Sequence, residues 1–220
     1  EERLVADFVR SWRASPPDLA WLYLDVLDEC GHKIGSSNLD EYLPLVKLVD
    51  DWLARVMRVL HSRKGQAKRT IVMVVTDHGR ESRRSGGRDH GGFTTDEMRV
   101  QWLIAGPGIR PGVLSWPIST TDAAPTLLHA LGMRPPQSMH GRVVTEAFEG
   151  ADVGWAVRAI HTRNATELHA SAASSGIIGH LSVAHVCGGL ALVSAVLIAF
   201  RRRARRGGLS TGFAPGYLEA

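Results

Sequence analysis

The chain alternates between helical and strand-like spacing of its apolar residues. Apolar residues at helical spacing predict an amphipathic helix at the start, namely Leu4, Val5, Phe8, Val9 and Trp12. The short, β-prone runs at 19–24 and 70–75 predict two buried strands. Between them, a helical stripe over 43–60 is expected to pack on the sheet and cross over to the second strand. The pattern indicates an α/β domain.

Three further segments complete this domain, which we assign to residues 1–150. A Gly- and Arg-rich loop follows the second strand over 80–92, and 100–105 predicts a third strand, closed by a Gly-Pro-Gly turn. The interval 121–131 predicts a helix, because Thr121 or Asp122 can cap it and Pro125 is tolerated in a first turn.

The C-terminal part has a different pattern. Residues 181–200 contain no Asp, Glu, Lys or Arg, and 20 residues at ~1.5 Å each would cross a hydrocarbon core of ~30 Å. We therefore predict a stalk over 151–176, a single transmembrane helix over 177–200 and a basic tail over 201–220. A buried core helix is the alternative.

The predicted span also implies an orientation. Arginines directly after it would keep the tail cytosolic and the catalytic part extracellular or lumenal. The glycosylation sequon at Asn164 lies on the exposed side in this arrangement, which predicts a glycoprotein. A GPI signal is disfavoured because 20 residues follow the apolar run.

Composition and charge narrow the choice of partners. The 220 residues, 44% hydrophobic and 22% charged, fit one globular domain. The net charge of +4 equals that of the tail, which has five Arg and one Glu, so residues 1–200 sum to zero. This argues against a nucleic-acid-binding surface. Two cysteines, Cys30 and Cys187, are too few for a disulfide framework.

Carboxylates and imidazoles follow the two main predicted strands. Asp28 and His32 lie in a predicted loop after the first strand, Asp77 and His78 after the second, and the Arg-rich loop brings back His90. We expect these two strands to be neighbours, so that the side chains gather at their carboxyl ends, where open α/β sheets bind ligands. Asp oxygen and neutral His nitrogen suit Zn²⁺ and related ions, so the residues predict a metal site.

The other polar residues near these ligands have simpler expected roles. Cys30 is expected to be a small packed residue, and Asp89 to orient an imidazole. Thr76 is expected to end a strand, and two further histidines, His129 and His140, to belong to the last helix and the loop after it. The loop arginines are expected to be solvated, with binding of an anionic substrate as the alternative; they are Arg80, Arg83, Arg84 and Arg88.

The order of these motifs resembles a known superfamily. The motifs are Asp28-x-x-Gly-His32, Thr-Asp77-His78-Gly, His90-Gly-Gly and the blocks 102–109 and 121–132. Over about residues 19–148 they resemble the C-terminal half of the alkaline phosphatase superfamily's catalytic domain. The nearest branches are the type I phosphodiesterase/nucleotide pyrophosphatase and sulfatase-like enzymes.

The resemblance implies a three-layer α/β/α domain, here partial, with two divalent ions, for which we expect Zn²⁺. Asp28, His32 and His90 would hold one ion, and Asp77 and His78 the second. Two ions about 4 Å apart can clamp the attacking and leaving oxygens of an in-line displacement. The family's Thr, Ser or formylglycine nucleophile is not identifiable, so we expect it upstream of residue 1, in a segment that this chain lacks.

The resulting expectation is a membrane-anchored, two-metal hydrolase of small phosphoric esters, whether phosphodiesters, pyrophosphates or phosphomonoesters. A sulfatase is the nearest alternative. A GPI-type phosphoethanolamine transferase shares the motifs, but such enzymes carry many membrane spans. A non-catalytic surface protein that retains the fold is the third alternative.

Overall fold

Helices and strands alternate along the residues described by this computed structural model, which are 1–62, 66–151 and the backbone of 195–201. The helices are α1 (Glu2–Ala14), α2 (Val26–Ile34), α3 (Leu39–His61), α4 (Thr95–Met98) and α5 (Ala123–Ala130). The strands are β1 (Leu19–Leu24), β2 (Thr70–Val75), β3 (Trp102–Ala105) and β4 (Ala195–Arg201). Short 3₁₀ turns precede β2 and α5 and follow α5.

The four strands form one sheet in the order β1-β4-β2-β3, with each neighbouring pair antiparallel. Because β1 and β2 both run antiparallel to β4, they are parallel to each other. Leu24 pairs with Ala195 and Val75 with Val196, so β1 and β2 end at the same edge of the sheet. The prediction that they are adjacent was wrong, because β4 lies between them.

Helices pack on both faces of the sheet. On one face, α1 and α3 enclose a cluster that includes Trp12, Leu22 and Val56. On the other, α5 and the segments around it pack on β2 in a second cluster that includes Met73 and Leu127. The resulting α/β arrangement is consistent with part of an alkaline-phosphatase-like domain.

The sequence predicted most of the helices and strands, but it did not predict the helix that contains Asp28 and His32. The structure confirms the predicted helix at the start and the strands at 19–24 and 70–75, and it begins α3 four residues early, at Leu39. The segment containing Asp28 and His32 is a helix, α2, where we expected a loop. Acidic residues in its first turn favour this helix, as does the Glu29–Lys33 pair one turn apart, at 2.7 Å.

The end of the predicted transmembrane helix differs as well. Residues 195–200 belong to strand β4, whereas 177–194 lie outside the described residues. A short apolar run of this kind fits a buried strand as well as a helix, so periodicity could not decide between them. No helix in the described part of the chain has the length and apolarity that a membrane span requires.

Candidate metal centre

Three segments bring the predicted ligands together at one edge of the sheet. Asp28 and His32 are one turn apart on α2, so their side chains share a face of that helix. Asp77 and His78 directly follow β2, and His90 lies in the loop between β2 and α4. The common edge at which β1 and β2 end is what places α2 beside this loop.

The side chains converge closely. The Nε2 atoms of His32 and His90 are 3.0 Å apart, and the Asp28 carboxylate lies 3.4 Å from each of them. The ring of His78 stacks on that of His90 with centroids 3.7 Å apart, and its Nε2 is 3.8 Å from Asp28 Oδ1. One ligand atom each of Asp28, His78 and His90 lies within 4.8 Å of the others, a spacing that could hold a metal ion.

The grouping differs from the predicted division into two sets. His78, which we assigned to a second ion with Asp77, lies in one cluster with Asp28 and His90. His32 adjoins this cluster through His90, and the Asp77 carboxylate is 3.8 Å from His78 Nε2. All five predicted residues therefore lie in one area, and the assignment to two ions stays a prediction.

The electrostatic environment suits a cation. Burial lowers the pKa of His90, and the neighbouring His78 lowers it further, which favours the neutral imidazole that a metal requires. Asp28 supplies a negative charge beside the imidazoles. This donor set of imidazoles and carboxylate fits a divalent ion of the Zn²⁺ type.

A cleft of about 310 Å³ opens beside the cluster, with Asp77, His78 and His90 in its wall. Met98, Val100 and Ile118 give the cleft an apolar side, and Ser119 and Thr120 also line it. Our sequence reasoning missed these two residues as site candidates. Their position just before α5 was the available signal, because a helix start commonly carries Ser or Thr.

The turn after His90 is held by Glu97 of α4. Its buried carboxylate accepts hydrogen bonds from the amides of Gly92 (2.8 Å) and Thr94 (3.1 Å) and from the Thr94 hydroxyl (2.6 Å). A Cβ on Gly92 would come within 2.7 Å of this carboxylate, so a larger residue there would displace it. These hydrogen bonds, led by that from the Thr94 hydroxyl, hold the pKa of Glu97 below its usual value.

Arg80 contradicts the expectation that the loop arginines are solvated. Its side chain is buried, whereas Arg83, Arg84 and Arg88 are exposed. Sequence alone could not separate the four, because the difference depends on which of them reaches α2 across the sheet edge.

The remaining expectations have mixed outcomes. Thr76 is buried and its hydroxyl accepts a hydrogen bond from the Gln101 amide at 2.9 Å, which confirms a structural role at the strand end. His129 lies in α5, as predicted. Cys30 is a half-buried free thiol, and Cys187 lies outside the described residues. Asp89 is exposed, and its predicted contact with an imidazole stays a prediction.

Comparison with known proteins identifies a family. Residues 7–133, more than half of the chain, match the Sulfatase family. No curated protein and no solved structure shows significant similarity. The matched interval begins within α1 and contains helices α2 to α5, strands β1 to β3 and all five predicted ligands.

Proposed function

Because the chain belongs to the Sulfatase family, within the alkaline phosphatase superfamily, we propose that it is a metal-dependent hydrolase of small phosphoric or sulfuric esters. The observation that supports this best is the cluster of Asp28, His78 and His90 beside an open cleft. A metal ion bound there would act as a Lewis acid on an ester oxygen.

The chain's own residues would prepare the site for such a substrate. Asp28, His78 and His90 would hold the ion, with His32 or Asp77 completing its coordination or belonging to a second ion. The apolar side of the cleft would exclude water from the ester, and hydroxyls at Ser119 and Thr120 could donate hydrogen bonds to its oxygens. The cleft volume of about 310 Å³ suits a small substrate.

The kind of ester is a finer proposal. The sequence resemblance to the phosphodiesterase branch favours phosphoric esters, and the Sulfatase match favours sulfuric esters as the second candidate. We place phosphoric esters first because the imidazole-rich donor set suits Zn²⁺, which can support in-line displacement at phosphorus.

Metal analysis and a substrate panel test the proposal together. The full-length protein should contain Zn²⁺ and hydrolyse p-nitrophenyl phosphate or bis-p-nitrophenyl phosphate faster than p-nitrophenyl sulfate. His90→Ala should lose bound Zn²⁺ and reduce turnover by orders of magnitude, because the transition state loses its charge stabilisation. The exposed loop residue His140 gives the matched control, and His140→Ala should keep both properties.

Two results would reject the proposal. One is a His90→Ala variant with unchanged metal content and turnover, which would separate the cluster from the chemistry. The other is a full-length protein that binds Zn²⁺ but hydrolyses no member of the panel, which would favour a non-catalytic surface protein. Faster turnover of the sulfate ester would reverse only the order of the two ester classes.

Membrane anchoring with an extracellular or lumenal catalytic part is a separate proposal, which the charge-free run 181–200 and the arginines after it support. Strand β4 argues against this anchor, because residues 195–200 cannot lie in the sheet and in the membrane at the same time. Alkaline carbonate extraction of membranes decides between them. A protein retained in the pellet, with a glycan that Asn164→Gln removes, supports the anchor. A protein released by carbonate contradicts it.

A further inference from the structure

Arg80 is 1% exposed, although it begins a loop whose other arginines face solvent. One terminal nitrogen donates to the Asp28 backbone carbonyl at 2.6 Å and also contacts the Asp28 carboxylate. The other donates to the carbonyls of Gly87 (3.2 Å) and Arg88 (2.7 Å). A single side chain thus joins α2 to the segment that leads directly to His90.

Such a buried charge would be costly without these partners. A guanidinium loses its hydration on burial, and only a nearby anion and well-placed acceptors can compensate. Asp28 supplies the negative charge and three carbonyls accept hydrogen bonds from the terminal nitrogens, whereas the buried Nε has no hydrogen-bond partner among the described residues. The planar fork of arginine suits this bridge, since it presents donors in fixed directions.

Helix α2 leaves space for this side chain at Gly31. A Cβ at that position would lie 2.6 Å from both Cζ and Nε of Arg80. Neither atom could move without breaking the hydrogen bonds that hold the guanidinium. Although Ala is a better helix former than Gly by about 1 kcal/mol, the packing here requires glycine.

We propose that Arg80 is a positioning residue for the metal centre. It fixes the Asp28 carboxylate and the backbone before His90 in the arrangement that a cation needs. This inference rests on the proposed function, because it assumes that Asp28 and His90 bind the ion. Partners that orient ligands in this way typically contribute 10- to 100-fold to metal affinity.

The positive charge of Arg80 would lower the affinity for a metal ion, whereas its positioning role would raise it. A guanidinium next to Asp28 repels a cation bound to the same carboxylate, so its removal could tighten metal binding if electrostatics dominated. The number of hydrogen bonds that Arg80 makes to backbone on both sides of the site indicates that positioning dominates. The sign of the change in affinity separates the two effects.

Zn²⁺ affinity of the full-length protein, measured by competition with a chelator, tests the inference. Arg80→Met should weaken Zn²⁺ binding by about 10- to 100-fold. Gly31→Ala should weaken it similarly, because it displaces the guanidinium without removing the charge. The double variant should bind no more weakly than the weaker single variant, because both changes disrupt one contact.

Arg142 provides the matched control. It is a largely buried arginine that pairs with Glu146, which is not a predicted ligand, through two bonds of 2.6 and 2.9 Å. Arg142→Met should lower the unfolding midpoint in denaturant and leave Zn²⁺ affinity unchanged. Measuring both quantities for every variant separates metal binding from general stability, and Gly31→Ala keeps the test available if Arg80→Met does not fold.

The outcomes distinguish the inference from the function on which it rests. If the unmodified protein binds no Zn²⁺, the proposed function and this inference both fail. If it binds Zn²⁺ and Gly31→Ala and Arg80→Met bind equally well or more tightly, only the inference fails. If Arg142→Met weakened Zn²⁺ binding equally, Arg80 would be a general stabilising residue and the inference would also fail.

Discussion

At the scale of single residues, Glu97 links acid stability to the geometry of His90. Its carboxylate accepts hydrogen bonds from the turn that follows His90, so its pKa lies below the usual 4.5. A carboxyl group with a depressed pKa stabilises the folded state fully above its unfolded pKa. This contribution is lost as the pH falls through the folded pKa.

We therefore expect Glu97→Gln to be less stable than the unmodified chain at pH 7, with a difference that shrinks as the pH falls below about 4.5. Urea midpoints of both proteins between pH 3 and pH 7 measure the change. Glu149, an exposed carboxylate, gives the control, and Glu149→Gln should follow the unmodified chain at every pH. A difference that stays constant with pH would contradict this role for Glu97.

The five candidate ligands could be named from sequence, whereas the contacts of Arg80 and Glu97 beside them could not. Asp28 and His90 belong to short motifs that follow apolar runs. These motifs can be recognised even when the boundaries of helices and strands are not known. Arg80 and Glu97 act through contacts with backbone at distant positions, which no local pattern encodes. The division of these residues into two ligand sets came from the family resemblance, and it stays a prediction.

At the scale of elements, Tyr42 connects α3 to α2. Its buried hydroxyl donates to the Leu27 carbonyl at 3.1 Å, one residue before Asp28. Burial is the main reason that its pKa rises to about 12 from 10, while the charge of Arg80 opposes this rise. The contact therefore helps to set the position of the helix that carries Asp28 and His32.

Tyr42→Phe should lower the free energy of unfolding by about 1 kcal/mol at pH 7, because the Leu27 carbonyl loses its donor. The unmodified chain should also lose stability between pH 10 and about 12, where unfolding releases the Tyr42 proton, and the variant should lack this loss. Chemical denaturation at pH 7 and across that range measures both effects. Tyr23→Phe, at an exposed tyrosine of β1, is the control. Equal effects at both positions would contradict the assignment.

The predictions of helices were correct where the apolar residues repeated at helical spacing over a long segment. The apolar stripes of α1 and α3 repeat over several turns, so their existence followed from spacing alone. Helix α2 is short, and its polar residues suggested a loop. Residues 195–200 are uniformly apolar, so a strand and a helix end were equally compatible with them.

At the scale of the whole molecule, β2 contributes to both hydrophobic clusters formed by the described side chains. Val72 packs in the cluster formed with α1 and α3, while Met73 packs in the cluster formed with α5. Alternating side chains of one strand thus join the two faces of the sheet. The sequence predicted such a strand and a covering helix, but it could not predict that β4 would separate β2 from β1.

The position of β2 predicts cooperative unfolding of both clusters. Met73 is 0% exposed, so Met73→Ala should destabilise the protein by about 2–5 kcal/mol through lost burial and a cavity. Because β2 is shared, hydrogen exchange of α3 amides, on the opposite face, should accelerate together with that of α5. Leu103→Ala is the control on the same sheet, since Leu103 is 58% exposed and should change stability by no more than about 0.5 kcal/mol. Faster exchange confined to α5 would show instead that the two faces unfold independently.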